Sequence, residues 1–105
     1  LIDGLLRLMD TPDDVTGPIN LGNPHESTIG ELAEAVIELT GSSSPITYRA
    51  LPEDDPRQRC PDISKARATL GWGPSVPLRD GLRHTIRYFA ELLDLPMPPA
   101  VRDLR

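Results

Sequence analysis

In the run Glu53-Asp54-Asp55-Pro56-Arg57-Gln58-Arg59-Cys60-Pro61-Asp62, two arginines stand among acidic residues in a loop punctuated by Pro52, Pro56 and Pro61. Proline fixes φ, so three of them limit how far the stretch from Pro52 to Pro61 can rearrange, and loops of this kind are where binding groups concentrate. A guanidinium held there suits a diphosphate, because its planar fork of donors can bridge two oxygens. The competing reading is a solvated charge run in which Arg57 and Arg59 neutralise Asp54, Asp55 and Asp62. Composition alone favours that plainer reading. Glu53, Asp54 and Asp55 also admit an acid/base reading, although adjacent carboxylates in a proline-rich loop are usually hydrated.

The other residues able to do chemistry favour structural roles. His25 precedes a helix start and His84 lies within a helix, with no second ligand at metal spacing, so surface positions are expected for both and no metal site. Trp72 directly after Gly71 reads as a packing anchor between the last two helices, with stacking on a base as the alternative. Asn20 and Asn23 read as strand-end turn formers rather than ligand contacts.

Composition narrows the classes. With 105 residues there is room for one small core but not for a cofactor domain beside a substrate domain. Hydrophobic residues at 38% and charged residues at 26%, with both signs mixed, describe a chain that folds. A formal net charge of -5 argues against a general nucleic-acid or anionic-membrane surface, so any phosphate site must be local. Cys60 is the single cysteine, which rules out an internal disulfide and makes a cytoplasmic setting the default. No apolar run approaches the roughly 20 residues that cross a bilayer. The chain opens on Leu1 in a stretch that is already amphipathic, and is expected to be a fragment.

Several elements must position these groups. Leu1, Ile2, Leu5, Leu6, Leu8 and Met9 fall largely on one side of a first helix that ends near Asp10. Gly17-Pro18-Ile19-Asn20-Leu21-Gly22-Asn23-Pro24, a short apolar run between Gly/Pro punctuators, predicts a buried strand. Thr28-Ile29-Gly30-Glu31 has the spacing of a capping box and opens a second helix, which Gly41 stops. Ile46 to Leu51 predicts a second strand. Asp62 is expected to cap a helix over Ile63 to Leu70 closed by Gly71, and Leu78, Leu82, Ile86, Phe89 and Leu93 mark the longest helix. From Pro96 the chain is expected to fray. The fold class is therefore α/β, a small lobe of about four helices and two short strands, residues 1-95, with a tail over 96-105. Two strands do not make a self-sufficient sheet, so the lobe is expected to pack on something larger.

Two blocks, GPINLGNPHESTIGELAEAVIELTG and DDPRQRCPDISKARATLGWGPSVPLRDGL, closely resemble the C-terminal blocks of UDP-glucuronate decarboxylases, in the extended short-chain dehydrogenase/reductase superfamily. The resemblance runs nearly continuously from Leu1 to about Leu93. PDISKARATLGW is shared with many nucleotide-sugar epimerases and dehydratases, whereas the DDPRQRCPD loop is more particular to the decarboxylases. The resemblance implies a parent enzyme that uses NAD to oxidise C4 of UDP-glucuronate, loses carbon dioxide from the β-keto acid and reduces the product to UDP-xylose. It also implies a C-terminal nucleotide-sugar-binding lobe normally packed on a Rossmann domain that holds NAD and a Tyr-x-x-x-Lys pair, in a parent that is usually a homodimer.

Neither the Gly-rich loop nor that pair is present, since Pro52 and Leu92 stand four residues after Tyr48 and Tyr88. The catalytic residues do not carry over, and this chain alone is expected to be inactive. Arg59, three residues before Asp62, does occupy the family's arginine position facing the phosphates or the reacting sugar. Arg57 matches a less fixed basic position, and Cys60 departs from a site where relatives often carry a basic residue. The rival readings are the same lobe of an epimerase or 4,6-dehydratase, or a non-catalytic nucleotide- or protein-binding module.

Overall fold

The computed structural model describes residues 1–50 and 60–103, which form four α-helices, α1 (Ile2–Met9), α2 (Ile29–Thr40), α3 (Ser64–Leu70) and α4 (Leu78–Leu92), and a 3-10 turn at Pro99–Val101. Two compact units contain them: one takes Leu1–Glu26 and, of Pro52–Ser75, residues 60–75, and the other takes residues 27–50 and 76–103.

In the first unit α1 packs on α3. Asp3 in the first turn of α1 pairs with Arg7 in its last at 3.0 Å, an i,i+4 pair oriented with the helix dipole. Gly4 is the buried residue of α1, and a Cβ built on it would lie 3.0 Å from the Trp72 indole and from Leu21 Cδ1. The missing side chain is what lets the helix backbone lie on the ring. The core is Ile63, Ala66, Leu70 and Trp72, with Leu8, Ile19 and Leu21 packed against it.

Trp72 is thus an anchor, set in the core of the unit that holds α1 and α3. The reason is local. Gly71 sits at φ 58, where a Cβ is disfavoured, and the N–H groups of Gly71 and Trp72 donate back to the carbonyls of Arg67 and Ala66. The chain folds back on α3 there and carries the indole into the α3 core.

Helix α3 starts one residue later than predicted. Ile63, buried at 4% exposure, holds the cap position without a side-chain cap. Asp62 instead accepts from the Ser64 N–H at 2.8 Å and from its hydroxyl, a turn just ahead of the helix.

The two predicted strands are corrected. Among the described residues no strand forms at 17–24 or at 46–50, and Leu51 lies outside the described residues. A strand is defined by the ladder that a second segment supplies, and an apolar run between glycines records only its own side of that pairing. The fold described is helical.

The second unit has α2 packed against α4 and against the 3-10 turn, with α4 also on that turn. The capping box of α2 is formed: Thr28 Oγ1 accepts from the Glu31 N–H at 3.1 Å, and the Glu31 carboxylate accepts from the Thr28 N–H at 2.7 Å. Gly41 closes the helix at φ 68. Leu39, Ala90 and Val101 are the buried apolar residues here, and Val101 is at 0% exposure. The expectation of fraying from Pro96 is therefore corrected as far as Asp103. Prolines preset the backbone of Pro98 and Pro99, while Arg83 Nε donates to the Ala100 carbonyl at 2.8 Å and Arg102 Nε to that of Met97 at 3.1 Å. No helix among the described residues is long and apolar enough to cross a membrane.

Candidate functional site

Arg57 and Arg59, with Glu53, Asp54 and Asp55, lie outside the described residues. The described residues resume at Cys60, Pro61 and Asp62. Four ties hold that point to the stretch 16–24. Cys60 Sγ donates to the Pro24 carbonyl at 3.5 Å, and Asn20 Nδ2 donates to the Asp62 carbonyl at 3.2 Å. The Pro61 ring closes on Gly22, where an added Cβ would come within 2.8 Å of Pro61 Cγ. Lys65 Nζ, from the second residue of α3, donates to the carbonyls of Thr16 at 3.1 Å and Pro18 at 3.3 Å.

The order of these contacts, 24 to 60, 22 to 61, 20 to 62 and 16–18 to 65, shows that the two stretches pass in opposite directions. They are joined by side chains rather than by a backbone ladder. Ile19 and Leu21, interleaved with the polar contacts, pack on the core. The short apolar run that suggested a strand thus belongs to a segment without a ladder, with Ile19 and Leu21 on the core and its other groups tied to residues 60–65.

Asp62 is the carboxylate of this junction. Its carboxyl is held below the usual carboxylate range, first by the hydrogen bond from the Ser64 hydroxyl and then by that from the Ser64 N–H, because both favour the ionised form. A charged Asp62 next to the start of α3 also suits the positive end of that helix. At the far end of α3, Arg7 Nη1 donates to the carbonyls of Leu70 at 3.1 Å and Gly71 at 2.9 Å, so a cation from α1 covers the negative end.

The remaining sequence candidates take structural positions. Asn23 Oδ1 accepts from the His25 N–H at 3.0 Å, the local turn expected of it, while Asn20 bonds across to Asp62 instead. His25 and His84 are exposed. Among the described residues no group of three His, Cys, Asp or Glu side chains could hold a metal ion. Trp72, with its ring in the core at 5% exposure, offers no face for a base. Arg7, Gly4, Gly22 and Lys65 went unread in the sequence. For Arg7 the i,i+4 spacing from Asp3 was a signal, but its partners on α3 are more than 60 residues away.

Compared with known proteins, no family model matches the chain. UDP-glucuronic acid decarboxylase 1 of Danio rerio is 43% identical over 109 residues, taking in 97% of this chain and 26% of its own length. UDP-glucuronic acid decarboxylase 3 of Arabidopsis thaliana is 52% identical over 96 residues, 91% of this chain and 28% of its own. The chain is homologous to UDP-glucuronic acid decarboxylases. UDP-glucuronic acid decarboxylase 5 of Arabidopsis thaliana reaches 56% identity over 82 residues, 78% of this chain and 24% of its own length. The chain thus spans about a quarter of the length of the decarboxylases it matches, in their C-terminal part.

For NAD, which the decarboxylase resemblance implies, the residues described here do not fit. A dinucleotide pyrophosphate is held where a Gly-rich turn opens a helix. The four helices open at Leu1, Thr28, Ile63 and Pro77, none on such a turn.

Proposed function

We propose that this chain is the UDP-sugar-binding C-terminal lobe of an NAD-dependent UDP-glucuronate decarboxylase that makes UDP-xylose, with Arg59 as the main diphosphate-binding group and Arg57 as a lesser one. The observation that supports it most is identity of 43% or more to these decarboxylases across nearly the whole chain. A guanidinium suits a diphosphate because its fork meets two oxygens at once. NAD and the catalytic Tyr/Lys pair belong to the remainder of the enzyme. That remainder is the lobe's protein partner, in a cytoplasmic homodimer. On this reading the chain alone releases no carbon dioxide from UDP-glucuronate.

The test is calorimetric titration of UDP into the full-length enzyme. Arg59→Ala should weaken binding by about 30-fold, the equivalent of about 2 kcal/mol, and Arg59→Lys should recover only part of it because an ammonium keeps the charge and loses the fork. Arg57→Ala should do less. Unchanged UDP affinity and turnover in Arg59→Ala, at unchanged fold and NAD content, would return the arginines to a charge-neutralising role.

A further inference from the structure

We draw no further inference here: the strongest candidate, the exposed apolar face of α1 formed by Ile2, Leu6 and Met9, carries nothing further, because the remainder of the enzyme as its occupant restates the partner already proposed and nothing in the structure shows what covers it.

Discussion

The two units of this chain reach stability by different means. In the first, short helices are held by bonds between residues far apart in sequence: Arg7 on the carbonyls at the end of α3, Lys65 on those of Thr16 and Pro18, Asn20 on that of Asp62. In the second, two longer helices with regular apolar spacing meet each other and a 3-10 turn, and α2 satisfies its own N-terminus through Thr28 and Glu31. Local sequence thus specifies most of the second unit. The first depends on side chains whose partners no local pattern names.

The largest test of this contrast is Trp72→Ala. It should cost about 3–5 kcal/mol in denaturant unfolding, since the indole closes the core of the first unit and leaves a cavity that α1 and α3 cannot fill. A loss below about 1 kcal/mol would show that the unit does not depend on its one large ring.

Two helical glycines should then respond with opposite signs. Replacing a mid-helix glycine with alanine gains about 1 kcal/mol of helix propensity. At Gly81 in α4 the nearest atom to the new Cβ is Val76 Cγ1 at 3.9 Å, an ordinary contact, so Gly81→Ala should raise stability by about that amount. At Gly4 the new Cβ meets the indole and Leu21 at 3.0 Å, and overpacking costs about 1–3 kcal/mol, so the net effect should be destabilising. Stabilisation by both substitutions would mean that α1 can lift off Trp72 without penalty.

Thr28→Ala removes half of the capping box and should cost about 1 kcal/mol, measurable as a shift in the unfolding midpoint. Thr28→Ser, which keeps the acceptor, should restore most of it.

The smallest effect is on acidification. Asp62 is held below its ordinary range by Ser64, and Glu38 in the second unit by its hydrogen bond and charge pairing with Arg79. Depressed folded-state values mean that each contributes stability present above the unfolded carboxylate value and lost as pH falls through the folded one. Stability should therefore decline between about pH 5 and pH 2, with part of the slope removed by Asp62→Asn and part by Glu38→Gln. Both groups are exposed, so each part is small. An unchanged slope in both variants would assign the acid sensitivity to other carboxylates.

Elements written in short-range spacing were legible. Thr28 and Glu31 three positions apart announced the start of α2, Gly41 and Gly71 the ends of α2 and α3, and the apolar recurrence from Leu78 the course of α4. Homology to the decarboxylases was equally legible, in the blocks around GPINLGNP and DDPRQRCPD. Each of these depends on residues within a few positions of one another, or on a string that can be matched as it stands. The tertiary structure alone decided the rest: that residues 17–24 form no ladder, that Trp72 faces α1 through Gly4, that Val101 closes the second unit, and that Asn20 and Gly22 brace the junction at Pro61. In such cases the outcome turns on a partner distant in sequence, as Asp62 is 42 residues from Asn20, and neither propensity nor period carries the identity of a partner at that distance.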